Sequence, residues 1–322
     1  MDALLTDSAY QSILVLWLAV LVDALWRWPL SSHPLTLMRY LVKQMGARVL
    51  PGKEYPPKQH YISGSLAAVV LLGPLIVCLG MLVYMAEYPV FFEVVIMMTV
   101  LDFGYQRKQF GKVLTVVGKN KKVLTREILS TIVARDCARL SDVGVAKAAI
   151  ESLWLKFLYL YCGVIFYFVL AGPVAALTYR LLLLTSWQWH YRHPAMKHFA
   201  KPIRKLVQLL VIPPATCGAL MTLLTSHPLK GLTAFRQSPA KDKTSLLLAL
   251  FGGVNNLQLG GPAIYHEKKY RFPRVGSQRQ VTHSDMVRAK RTIFSGMCVM
   301  VALASLTLLL IAVNLQSKAH LL

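Results

Sequence analysis

The feature that most constrains this chain is a succession of apolar stretches close to the length needed to cross a bilayer. A spanning helix needs about 20 largely apolar residues. Residues 62–85, ISGSLAAVVLLGPLIVCLGMLVYM, meet that need, and residues 292–313, TIFSGMCVMVALASLTLLLIAV, are the cleanest case. Residues 12–26 qualify despite one carboxylate, with Trp26 and Trp28 as interfacial anchors. Residues 90–105 are shorter and carry Glu93 and Asp102. Two longer runs are interrupted, 157–187 by Gly172-Pro173 and 206–225 by Pro213-Pro214. The pattern predicts an all-α, multi-pass helical membrane protein with amphipathic cytoplasmic helices, one membrane-embedded unit over residues 1–322.

Composition agrees. Hydrophobic residues make up 55% of the chain and charged residues 16%, against roughly a quarter charged in soluble domains. Asp2 and Asp7, rather than a basic segment, precede the first apolar run, and no small-residue cleavage site follows it. That run reads as a retained span, not a signal peptide. Five separated cysteines form no CxxC pair, which excludes a zinc ribbon or thioredoxin-type site and leaves packing.

The net charge of +22 has two readings. One is retention of basic loops in the cytoplasm; the other, layered on it, is attraction of anionic ligands such as phosphate esters. Nucleic acid is not an expected partner, because the basic residues are dispersed and no recognised binding module accompanies them. Between the first two spans, Arg27, Arg39, Lys43, Arg48, Lys53 and Lys58 face a single acid, Glu54, so this loop is predicted to be cytoplasmic. The stretches 107–147, 192–205 and 268–291 are also basic. Simple alternation cannot place them all inside, so the interrupted runs are hairpins or re-entrant, or one loop departs from the rule. Within the cytoplasmic segment 107–156, Val123, Leu124, Ile128, Leu129, Ile132 and Val133 recur at helical spacing. Ser141 or Asp142 is the expected N-cap of a second helix, with Val145, Ala149 and Leu153 continuing its face.

Asp23 lies inside an apolar span, where a carboxylate is costly and is functional, paired (Arg27 is one turn away), or close enough to the interface to stay wet. Glu93 and Asp102 lie in a weaker span and read first as acids close enough to the interface to stay wet. In IVARDCARLSD, Arg135 could meet a phosphate bidentately and Asp136 could hold magnesium through water; a solvated ion pair fits the same residues. His190, His193 and His198 read as an interfacial girdle, since no carboxylate or cysteine completes a metal set. GxSxG, HExxH and P-loop motifs are absent. In NNLQLGGPAIYHEKKYRFPRVG, Gly252-Gly253 just upstream and Gly260-Gly261-Pro262 permit tight turns and close approach of amides to an anion. Asn255, Asn256 and Gln258 add side-chain amides, and Lys268, Lys269, Arg271, Arg274 and Arg279 follow. A turn joined to a basic loop explains the same letters.

Four blocks in this order resemble the CobD/CbiB family of cobalamin-biosynthesis membrane proteins. Asp23, Pro29 and SHPL at 32–35 are similar to the family's LD…DP…HPV. IVARDCARLS at 132–141 is similar to its IVGRDT block, running on to Ala148 and Glu151. QLGGPAIY at 258–265 matches its QLGGP..Y signature, with Gly276 beyond. Asp285 before the terminal span is similar to its last helix start. The resemblance implies a multi-pass enzyme of the cell inner membrane, basic loops facing the cytoplasm, that joins adenosylcobyric acid to aminopropanol or its phosphate by an amide bond. It implies ATP and Mg2+ as cofactors, a corrinoid and an amino-alcohol phosphate as substrates, and other cobalamin-assembly enzymes as partners. Carried over residue by residue, Asp23, Asp136 and Glu151 would be catalytic, with Asp136 also the metal ligand. His33, Arg135, Gln258, Gly260, Gly261 and Tyr265 would bind substrate, and the amide-lined basic loop adds Asn256 and Lys268 as binding candidates on its own chemistry.

The chain also departs from the family. Where the family has E-N-T-x-D-G, residues 155–160 read LKFLYL; LLTSWQ replaces its N-T-L-D-S-M block, and Arg204 survives without the aspartates of A-R-x-D-D. These losses suggest an alternative, a non-catalytic AmpE-like paralogue acting as a membrane sensor or accessory subunit. A transporter reading rests on Asp23 and the broken helices, and the lack of a repeated half counts against it.

Overall fold

The computed structural model describes residues 8–319, apart from residues 27, 29–31, 192, 226 and 266–267. Arg27, Pro29 and Arg192 therefore lie outside the described residues. The chain is overwhelmingly helical and is a multi-pass helical membrane protein. Among the described residues, four helical stretches are long and apolar enough to cross a bilayer: Pro57–Met85, Pro89–Gly118, Asp142–Gln188 and His283–Asn314. A fifth candidate is the pair Lys201–Leu210 and Ile212–Leu224, bent by 40°. The bend falls just ahead of Pro213-Pro214, whose rings remove two backbone donors from the ladder.

The helices fall into two compact units, Met1–Asp102 with Gly163–Pro214 and Val301–Leu322, and Phe103–Cys162 with Ala215–Met300. In the first, α1 (Ser8–Leu25), α2 (Pro34–Val49), α3 (Pro57–Met85), α4 (Pro89–Val100), α8 (Gly163–Gln188) and α9 (Lys201–Leu210) pack together. Small residues set the spacing. Gly46 lies against the Trp189 indole, whose Nε1 donates to the Val42 carbonyl at 2.9 Å, and Gly64 lies against the backbone of Phe199. Helix α8 breaks where the sequence suggests: Ala171 leaves helical geometry and Gly172 takes φ +78, ψ −173, a region that a side chain strongly disfavours.

The second unit holds α5 (Phe103–Gly118), α6 (Lys122–Ser130), α7 (Asp142–Lys156), a π-helical stretch Phe157–Cys162, the bulk of α10 (Ile212–Leu224), α11 (Pro228–Arg236) and α12 (Lys243–Asn255), with the first half of α13 (His283–Ala319). Ser141 is the N-cap of α7, its hydroxyl accepting from Gly144 N at 3.2 Å. Val145, Ala149 and Leu153 are all buried, as the sequence predicts. Trp154 stacks on Phe251 at 4.4 Å and joins α7 to α12. The glycine pair Gly252-Gly253, read from sequence as a turn, instead closes helix α12. A Cβ on Gly253 would collide with Ala234 and the Gly231 backbone, and one on Gly252 with the Leu257 carbonyl and Gly276. Those glycines allow close packing rather than anion approach.

Two short antiparallel ribbons interrupt the helices. β1 (Gln258–Gly260) pairs with β4 (Arg274–Gly276), and β2 (Ala263–Tyr265) pairs with β3 (Lys268–Tyr270). Gly260, Gly261 and Gly276 have φ of +73, +109 and +91, which no helix accommodates.

The Gly172 break is testable. Gly172→Ala meets no neighbouring atom, so its cost is backbone strain, about 1–3 kcal/mol. Gly111→Ala, in open space within α5, should be neutral or stabilising by up to about 1 kcal/mol. Unfolding midpoints in detergent should separate the two variants in that order.

Candidate functional site

The signature loop is anchored by a carboxylate. Glu151, on α7 and 9% exposed, accepts from the Gly260 amide through Oε1 at 2.7 Å and from Arg135 Nη2 through Oε2 at 3.0 Å. The glycine turn was expected to offer its amides to an anion; the anion that Gly260 meets is the chain's own Glu151. Gly260 is suited to this because a Cβ there would strike the Pro273 carbonyl. One turn before Glu151, Lys147 donates to Gln258 Oε1 at 3.1 Å. A single helix face thus holds both sides of β1, in the i, i+4 relation that puts two side chains together.

The RD segment docks on the same loop, the Asp136 amide donating to the Ile264 carbonyl at 2.9 Å. Asp136 itself is exposed, and its Oδ1 accepts from Ala138 N at 2.9 Å. Between Arg135 and that turn, Cys137 is buried, and burial first, then Asp136, push its thiol up while Arg135 pulls it down. Asn256 serves through its backbone: it caps α12 in the left-handed conformation, and its carbonyl accepts from Arg279 Nε at 3.0 Å. Arg279 also pairs with the buried Asp285, which accepts from Thr282 at the start of α13. Tyr265 meets Tyr270 edge-on at 5.8 Å, and Lys268 is exposed on β3. A Cβ on Gly261 would make only an ordinary contact, with the Arg274 side chain at 3.9 Å.

Arg135, Glu151, Gln258, Gly260 and the Asp136 backbone are therefore brought together, with Lys147 added by the structure. Glu151, Arg274 and Arg135 all lie within electrostatic reach of Lys147, which makes three cations to one carboxylate. Among the described residues, no three His, Cys, Asp or Glu side chains gather into a metal set. Magnesium fits here only as the companion of a phosphate ligand, with Asp136 as its one protein carboxylate. A cavity of about 320 Å³ in the same unit is lined by Asn120, Lys122, Arg126, Asp142 and His283, among others, a size suited to a small ligand.

Asp23 and His33 belong to the first unit. Asp23 is 7% exposed. His33 caps α2, its Nδ1 accepting from Leu35 N at 3.1 Å. Near it lies a pair that the sequence reading passed over: Arg180 Nη2 donates to both oxygens of Asp102, at 2.9 and 2.8 Å, and Arg39 stands 3.6 Å from Asp102. Burial holds the His33 imidazole below its ordinary value of 6.5; Asp102 pulls it up, and Arg180 and Arg39 push it down.

Two outcomes follow. Glu151→Ala strands a partly buried guanidinium and a glycine amide, costing about 3 kcal/mol, whereas Glu151→Gln keeps an acceptor for Gly260 and should cost about half; denaturant unfolding in detergent measures both. For His33, the folded chain binds fewer protons than the unfolded one below pH 6.5, so its stabilising contribution is present above that pH and lost as pH falls through the lowered value. Unfolding midpoints from about pH 5 to 8 should fall on acidification, and His33→Asn, which keeps a cap, should flatten part of that slope.

Comparison with known proteins places this geometry in a family. The chain is 30% identical over 310 residues to a protein of Chromobacterium violaceum named cobalamin biosynthesis protein CobD, covering 93% of this chain and 98% of that one. Proteins of the same name from Stutzerimonas stutzeri (25%, covering 80% of this chain and 85% of the relative) and a Sinorhizobium species (26%, covering 90% and 96%) are also similar. No solved structure matches the chain. The family model described as CobD/Cbib protein matches residues 16–293, a stretch that holds every residue of the Glu151 cluster, and the chain belongs to the CobD/CbiB family.

Proposed function

We propose that this protein acts in cobalamin biosynthesis, joining adenosylcobyric acid to aminopropanol or its phosphate through an amide bond at the Glu151 cluster. The observation that carries this reading is the double anchoring of the QLGGP turn on Glu151 and Lys147. A loop held at both ends of its first strand keeps its remaining donors aimed, and preorganised donors are what a polar substrate needs. Gln258, whose oxygen is taken by Lys147, presents its amide N–H groups to the carbonyls of an amide-rich corrinoid. Arg135, Lys147 and Arg274 outnumber Glu151, so the site favours a carboxylate or phosphate. Tyr265 closes the side of the loop.

ATP, when bound with Mg2+, supplies the activation that a carboxylate needs to form an amide. Asn120, Lys122, Arg126 and His283 around the 320 Å³ cavity fit its phosphates, and Asp142 is the carboxylate in that lining; Asp136, the metal ligand that the resemblance implies, is not among the residues lining it. On this reading the protein sits in the cell inner membrane with its basic loops toward the cytoplasm, where these anionic substrates occur. A non-catalytic sensor is the less favoured reading, since the relatives found carry the biosynthetic name.

Purified protein supplied with adenosylcobyric acid, aminopropanol phosphate, ATP and Mg2+ should yield the amide product, detected by mass spectrometry. A preparation that binds corrinoid and forms no product contradicts the enzymatic reading. Gly261→Val, which forces a branched side chain into φ +109, should abolish corrinoid binding while membrane insertion stays normal. Retained binding would return this loop to a simple connection.

A further inference from the structure

The least satisfied charged group among the described residues is Arg180. It is 1% exposed and donates through Nη2 alone, to Asp102. The single N–H of Nε and the two of Nη1 have no hydrogen-bond partner. The Trp187 ring, 5.9 Å away, offers a π face to the guanidinium but no lone pair. Buried donors left in this state are costly, and each calls for a missing acceptor.

The surroundings say what kind of acceptor. Asp102 and Arg180 cancel, and Arg39 adds one positive charge beside them. His33, within electrostatic reach of all three, is kept neutral at pH 7 by its burial. Its Nδ1 is already an acceptor for Leu35 N, so its remaining proton is on Nε2, as a donor. Two guanidiniums thus face one carboxylate, and Arg180 keeps spare N–H groups. Buried N–H groups without acceptors are unfavourable, and one anion with several acceptor oxygens, set beside these cations, would satisfy those of Arg180.

We propose that Arg180, Arg39 and His33 form an anion site in the first unit that takes one phosphate group, with Asp102 as its built-in counter-ion. Phosphate matches the planar, multiply donating guanidinium, and in a membrane protein it can come from a soluble phosphate ester or from a lipid headgroup. None of these residues belongs to the Glu151 cluster, so the site stands whether or not amide formation occurs there.

The test uses the full chain in detergent, titrated with inorganic phosphate, with chloride at matched ionic strength as control and thermal unfolding as readout. Wild type should show a saturable rise in midpoint with phosphate and none with chloride. Asp102→Asn removes the internal counter-ion, so it should bind phosphate about tenfold more tightly. Arg180→Gln should abolish the response, and Lys58→Gln, an exposed change of equal charge, should leave it unaltered. In nanodiscs, stabilisation by phosphatidylglycerol without a response to inorganic phosphate assigns the site to a lipid headgroup; the reverse assigns it to a soluble ester. If Arg180→Gln does not fold, the Asp102→Asn comparison carries the decision. A phosphate response that survives Arg180→Gln, an Asp102→Asn affinity equal to wild type, or no response to either source overturns the proposal.

Discussion

One buried carboxylate holds the signature loop in place. Glu151 projects from the middle of α7 and meets a glycine amide 109 positions later and a guanidinium 16 positions earlier. Neither partner segment is helical, so neither can satisfy its backbone internally, and loops of this kind need fixed acceptors to persist at the edge of a helical bundle. The charge matters as much as the geometry. Hydrogen bonds to an ionised acceptor are roughly twice as strong as neutral ones, and here one such acceptor serves two segments at once. Lys147 repeats the arrangement one turn earlier with opposite polarity, donating where Glu151 accepts.

The two units solve the problem of a buried ion pair differently. In the second, Glu151 has both oxygens engaged and Arg135 is partly open to solvent, so the pair can remain charged beside a ligand. In the first, Asp102 is engaged at both oxygens, while Arg180 retains unused donors in a nearly sealed environment. The family's lost acidic residues fit the same account. Residues 155–160, which take the place of an acidic family block, supply core instead: Phe157, Leu158 and Leu160 are fully buried, and Lys156 reaches Gln106 and the Ile132 carbonyl. In this chain that segment has a structural task.

Much of the fold was legible because the bilayer imposes a length on apolar runs. The broken helix at Gly172-Pro173, the bend near Pro213-Pro214 and the Ser141 cap were each visible as local chemistry. What could not be read was pairing over distance. Asp102 looked like a wet interfacial acid in a weak span, whereas it is buried; its partner lies 78 residues away in another apolar run. Gly252-Gly253 resembled a turn because glycine pairs usually mark turns, and only the approach of Gly231 and Gly276 shows that they serve packing. Glu151 came from family resemblance alone. Lys147 did carry a signal, its position one helical turn from Glu151, but nothing in the sequence tied either residue to Gln258 or Gly260.

The claim that Glu151 and Arg135 act as one unit in fastening the loop is tested most directly by a double-mutant cycle on Arg135→Gln and Glu151→Gln, read as corrinoid affinity. Residues sharing one buried network should show a coupling of about 1–3 kcal/mol, so the double variant should bind scarcely worse than the worse single one. Losses that simply add would mean the two side chains act independently, and would contradict the account.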